Sequence, residues 1–217
     1  RDSAEAPQNL ASVEHARPIT RREREARIEK VQGLMQQAGV DALMIEPGST
    51  MTYFSGLRWW RSERLTTLII PAQGHPLVVT PYFEEPSVRE SLEITADVHT
   101  WHEHESPFKR VSDFLKSKGP NSPVLAIEPT TRFFASDGVK SEISGGELIS
   151  GAALVNGCRL FKTSHELELM QAANDITVAA YAHIFNRIEL GMKRSVISSR
   201  MNDATRAVGG QPKLSLV

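Results

Sequence analysis

The chain has 217 residues, 40% of them apolar, enough for one large or two small packed domains. Its 25 basic and 26 acidic residues leave a formal net charge of −1, so no global field gathers nucleic acid or an anionic membrane, and neither is an expected partner. No stretch approaches the ~18 apolar residues of a spanning helix, and the single cysteine, Cys158, cannot form an intramolecular disulfide, which leaves the redox compartment open.

Residues 1–18 lack apolar periodicity and are expected to form a flexible arm. Their polar, Pro-containing start fits a processed mature chain or a trimmed piece of one. Thr20 with Glu23 makes a capping-box pattern, and Ile28, Val31, Met35 and Ala38 then recur at helical spacing until Gly39, a natural helix stop. Apolar, β-rich runs follow at Ala42–Ile45, Leu65–Ile70, Leu77–Thr80, Ala96–Trp101 and Val124–Ile127, each bounded by turn residues. Between them the spacing predicts helices at Glu84–Leu92, Pro107–Lys118 and Thr131–Ile143. This alternation argues for an α/β layer domain over residues 19–150, closed by the Ser- and Gly-rich stretch Ser141–Ala152.

Beyond that boundary, Ala153–Leu160 is expected as one strand, with long helices at Ser164–Ile188 and Lys193–Ala207 separated by Gly191. Leu167, Met170, Ile176, Tyr181, Ile184 and Ile188 form an apolar stripe. One strand and two helices cannot bury it, so further sequence or a partner chain is expected to cover it. No internal repeat and no low-complexity tract is expected to organise the chain.

Three places invite a chemical reading. His102-Glu103-His104-Glu105 offers metal-ligand types, but lacks the spacing that sets two ligands on one helical face, and a polar turn before the helix at Pro107 explains it. Trp59-Trp60-Arg61-Ser62-Glu63-Arg64 sets aromatic faces beside guanidinium forks, a combination suited to ligand contact, with a large apolar face from Trp and a fork for a carboxylate from Arg. The bland alternative places one Trp in the core and one at an interface, with Arg64 and Glu63 as a surface pair. Trp60 and Arg61 are the candidate substrate-binding residues. Cys158 has no evident His or carboxylate neighbour and is expected to be a small buried residue of a strand. No GxSxG elbow, Walker A loop or GxGxxG turn occurs. The arginines at 17, 21, 22, 24 and 27 alternate with Glu23, Glu25 and Glu29, the pattern of a solvated helix face.

The Arg-rich helix ending in Gly39, the strand Asp41–Ile45, the turn Thr50-Met51-Thr52-Tyr53-Phe54-Ser55-Gly56-Leu57 and the series Arg159, Lys162, Glu166, Leu167 together resemble the creatinase/prolidase family. Thr50 stands where that family usually has Asn. The resemblance spans residues 20–217. It implies an α/β N-terminal domain with a mixed sheet, followed over residues 151–217 by the truncated first strand and two helices of an α+β pita-bread domain. It further implies that the complete protein is an Xaa-Pro dipeptidase or aminopeptidase using two divalent metal ions (Mn, Co or Zn), with all metal ligands downstream of Val217. No catalytic or metal residue is therefore carried over to this chain, which is expected to be inactive alone. What the resemblance leaves to it is substrate gating at the mouth of the active site, by Trp60 and Arg61, on short proline-containing peptides. Expected partners are a second copy in a homodimer or a complementary C-terminal fragment. The family favours a cytoplasmic location without excluding export. A non-catalytic peptide-binding relative and a creatinase-type C–N hydrolase are the alternatives.

Overall fold

In the computed structural model, which describes residues 11–211, a short helix α1 (Ala11–His15) precedes the helix α2 (Arg21–Ala38) that the sequence predicts. Thr20 caps α2: its Oγ1 accepts from the Glu23 amide, and the Glu23 carboxylate accepts from the Thr20 amide at 2.8 Å. Both orphan donors are thereby satisfied. At the other end Gly39 takes the left-handed conformation (φ 66°) and returns its N–H to the last turn.

The chain then runs through β1 (Ala42–Ile45), α3 (Ser49–Ser55), β2 (Thr67–Pro71), β3 (Leu77–Pro81), α4 (Glu85–Ser91), β4 (Asp97–Trp101), α5 (Pro107–Lys118), β5 (Val124–Ile127), α6 (Phe133–Glu142), β6 (Glu147–Ser150) and α7 (Ala152–Arg159). The strands form one six-stranded mixed sheet in the order β4-β3-β2-β1-β5-β6. Only β2 runs against its neighbours; the other pairings are parallel. Both faces of the sheet are covered. Leu43 and Ile45 of β1 pack with Val31 and Met35 of α2, Phe54 of α3 and Val155 of α7. Ala42 and Met44, on the opposite face, pack with Val111 and Leu115 of α5 and Val139 of α6. A strand buried on both faces reads as an unbroken apolar run, and Ala-Leu-Met-Ile is one.

Several elements differ from the sequence expectation. Thr50–Leu57, expected as a turn, contains helix α3, stopped by Gly56 at φ 78°. Within Ser141–Ala152, β6 adds an edge strand to the sheet. Ala153–Leu160 is the helix α7 and not a strand: Leu154, Val155 and Cys158 are buried while Asn156 is exposed, the spacing of one helical face. Gly157 permits close packing there, since a Cβ would lie 2.9 Å from Leu34 Cδ1 of α2. The first compact unit runs from Thr20 to Phe161.

The second compact unit combines Arg1–Ile19 with Lys162–Val217. Its helices are α1, α8 (Ser164–Phe185) and α9 (Arg194–Ala207), with Gly191 at φ 85° between the long pair. Thr163 and Glu166 form a second capping box. Ala180 and Ile184 of α8 pack on Met201 and Ala204 of α9. Of the expected arm, residues 1–18, the structure describes residue 11 onward. Following α1, the Arg17 carbonyl sits 3.0 Å from His165 Nε2, whereas residues 1–10 lie outside the described residues. Of the expected stripe, Ile184 is buried, whereas Leu167, Met170, Tyr181 and Ile188 are exposed. Among the described residues no helix is long and apolar enough to cross a membrane.

Candidate functional site

The winding of the first unit creates a switch point. From β1 the chain adds β2, β3 and β4 on one side, then crosses back to place β5 and β6 on the other. The carboxyl ends of β1 and β5 are thus adjacent strands whose following loops diverge, the usual location of a ligand crevice in such sheets. Each of these two strands ends in a buried glutamate. Glu46 after β1 is 1% exposed and Glu128 after β5 is 6% exposed.

A buried carboxylate requires donors, and both have them. Glu46 Oε1 accepts from Arg132 Nη2 at 2.7 Å and Nε at 3.1 Å, while its Oε2 accepts from the Arg132 amide at 2.7 Å. Glu128 Oε2 accepts from the Thr130 hydroxyl at 2.6 Å and amide at 2.9 Å, and Oε1 accepts from the Thr50 hydroxyl at 3.2 Å. Arg159 of α7 donates to Thr50 Oγ1 at 2.7 Å and to Ser49 Oγ at 3.2 Å, tying α7 to the start of α3.

Against the carboxyl ends of β1 and β5 lies the segment 58–66, which has no regular secondary structure and leads into β2. It brings Trp60 and Arg61 to the switch point in different roles. Trp60 is 86% exposed. Arg61 is committed inward: Nε donates to the Pro47 carbonyl at 2.9 Å and Nη2 to Thr130 Oγ1 at 2.5 Å. Arg132 Nη1 donates to the Ser62 carbonyl at 2.5 Å. Trp59 points the other way, its Nε1 donating to Glu84 Oε2 at 3.1 Å, an oxygen that also accepts from Thr66 and Thr80. Arg64 pairs with Glu63 and with Glu103. The segment is thus an arm pinned at several points with one large apolar face projecting.

The model of the creatinase/prolidase N-terminal domain family matches residues 27–161. This chain belongs to that family. It is 24% identical over 195 residues to the ectoine hydrolase of Halomonas elongata, covering 85% of this chain and 49% of that protein. It is 22% identical over 177 residues to an Xaa-Pro dipeptidase of Lactobacillus helveticus, covering 81% and 48% respectively. The crystal structure of dipeptidase PepE from Mycobacterium ulcerans shares its fold with TM-score 0.77 at 21% identity, over 89% of this chain and 52% of that one. The chain spans about half the length of these curated relatives. Its relatives are hydrolases.

Other sequence candidates of this creatinase/prolidase domain resolve into structural roles. His102–Glu105 is a closed turn: the Glu105 carboxylate accepts from the His102 amide at 2.8 Å, the Glu105 amide returns to the His102 carbonyl, and Arg110 pairs with the same carboxylate. That amide and then Arg110 hold the Glu105 carboxyl below the ordinary glutamate range. Among the described residues, no group of three or more His, Cys, Asp or Glu side chains could hold a metal ion. Cys158 is buried in α7 and not in a strand, and burial pushes its thiol up.

Sequence reasoning passed over Glu46, Glu128, Thr130 and Arg132. A signal was present. The two strands beside the switch point end alike, Leu43-Met44-Ile45-Glu46-Pro47 and Leu125-Ala126-Ile127-Glu128-Pro129. Both endings place a glutamate and then a proline after an apolar strand, and both glutamates are buried.

Proposed function

We propose that this chain is the N-terminal part of a proline-specific metallopeptidase, an Xaa-Pro dipeptidase or aminopeptidase, and that it selects short peptides at the mouth of the active site. The observation that carries this reading is the projecting Trp60 on an arm anchored at the carboxyl ends of the strands, in a domain whose relatives include an Xaa-Pro dipeptidase. An exposed indole gives a proline ring a flat apolar partner. Arg61 adds positive charge beside it, favourable to a peptide carboxylate, with Nε and Nη2 already committed to the arm's anchors.

The described residues do not fit a metal pair. Two divalent ions (Mn, Co or Zn), which in such enzymes supply a bound hydroxide and polarise the scissile carbonyl, would be held by the remainder of the complete protein. This chain by itself is accordingly expected to be inactive. Its partners would be a second copy in a homodimer, or the complementary C-terminal part, together with short proline-containing peptides. A creatinase-type hydrolase of a non-peptide C–N bond is the second reading, favoured by the ectoine hydrolase among the relatives.

The test is a panel assay on the complete protein, with Xaa-Pro dipeptides, matched Xaa-Ala dipeptides and ectoine, each with added Mn²⁺ and after chelation. Metal-dependent hydrolysis confined to Xaa-Pro bonds is the expected result. Turnover of ectoine alone would establish the second reading, and peptide binding without turnover would show a non-catalytic relative.

A further inference from the structure

The arm over residues 58–66 has no backbone ladder to stiffen it, and such segments belong to the mobile end of a fold. Its stance is set by side chains rooted at the switch point. The decisive one is Arg132. Glu46 takes the Nε and Nη2 edge of its guanidinium and also its backbone amide. A planar fork held along one edge has no freedom to swing its remaining nitrogen. Nη1 is therefore aimed at the Ser62 carbonyl, two residues beyond Trp60. A second root runs in parallel: Glu128 orients the Thr130 hydroxyl, and that hydroxyl receives Arg61. Both carboxylates are too deeply buried to touch a peptide, yet each holds one side of the arm.

We propose that Glu46 and Arg132 are positioning residues for substrate selection: their buried pair, with Thr130 beside it, fixes the arm and thereby the stance of Trp60. The structural half of this inference stands on the hydrogen bonds alone, and the functional half rests on the peptidase reading. Lysine at position 132 would keep the charge beside Glu46 but has no fork with which to hold Glu46 and Ser62 at once. Valine at position 130 removes the acceptor of Arg61 and one donor to Glu128 at a solvent-exposed residue, while the residue 130 amide and the Thr50 hydroxyl still donate to that carboxylate.

Two measurements test the proposal. In ¹⁵N relaxation on this chain, amides 60–63 of the parent are expected at order parameters of about 0.85, falling below about 0.6 in Arg132→Lys and in Thr130→Val, with the sheet unchanged. In the complete enzyme the same substitutions raise KM for an Xaa-Pro dipeptide about 3- to 10-fold with kcat unchanged, and raise it no further in a Trp60→Ala background. Unchanged order of the arm in both variants would overturn the positioning role. Equal KM increases with and without Trp60 would overturn its route through Trp60. Loss of arm order in a complete protein that cleaves no Xaa-Pro bond would leave the anchoring intact and sink the peptidase reading instead.

Discussion

Truncation along α7 tests the point at which the structure departs most from the sequence reading. Leu154, Val155 and Cys158 face the core beneath α2, whereas Asn156 faces solvent. A strand would instead set residues 154, 156 and 158 on one face and 155 on the other. Leu154→Ala removes a buried isobutyl group at 6% exposure and should cost about 2–4 kcal/mol in transfer and cavity terms. Val155→Ala should cost about 1.5–2.5 kcal/mol and Asn156→Ala less than about 0.5 kcal/mol. At roughly 3 °C per kcal/mol for a unit of this size, Leu154→Ala lowers the midpoint by about 6–12 °C. Trp59, Trp60 and Trp101 all lie within Thr20–Phe161, so tryptophan fluorescence follows the unfolding of this unit alone. A neutral Val155→Ala together with a costly Asn156→Ala would refute the helix and its packing on α2.

Two further predictions concern titratable groups. Cys158 is buried in α7 with its thiol pushed up by burial, so a thiol reagent should label it only at the rate at which this unit opens, accelerating across the unfolding transition; rapid labelling of the native chain would contradict the burial. Glu105 is held below an unperturbed glutamate by the His102 amide and Arg110, so its contribution to stability is present above the unfolded value and is lost as pH falls through the lower folded value. Carboxyl ¹³C titration should show that low midpoint, moving upward in Arg110→Ala; a Glu105 midpoint at or above the ordinary value would show that the turn does not persist in solution.

Local signals carried much of the fold. The capping box at Thr20 and the Pro107 start of α5 were legible because each is settled within one helical turn. The strands β1 and β5 were legible because burial on both faces leaves unbroken apolar runs. The segment Ala153–Leu160 reads as a strand because Leu, Val and Cys suit either state, and only its packing against the rest of the core decides for the helix. β6 was hidden by its setting, since a short edge strand between glycines looks like a boundary. At the candidate site the sequence brought out Trp60 and Arg61 but not what holds them. The partners of Arg61 and Arg132 are 14 to 86 residues away in sequence, and only the winding of the sheet brings Pro47, Thr130, Glu46 and Ser62 together.

The most direct test of substrate selection at this edge of the sheet is kcat/KM of the complete protein against Trp60→Ala, for one Xaa-Pro dipeptide and its Xaa-Ala counterpart. If the exposed indole contacts the proline ring, an interaction of about 0.5–1.5 kcal/mol is lost, and kcat/KM for the Xaa-Pro substrate falls about 2- to 13-fold while the Xaa-Ala value stays level. Equal values for parent and variant on the Xaa-Pro dipeptide would contradict a role for Trp60 in substrate selection.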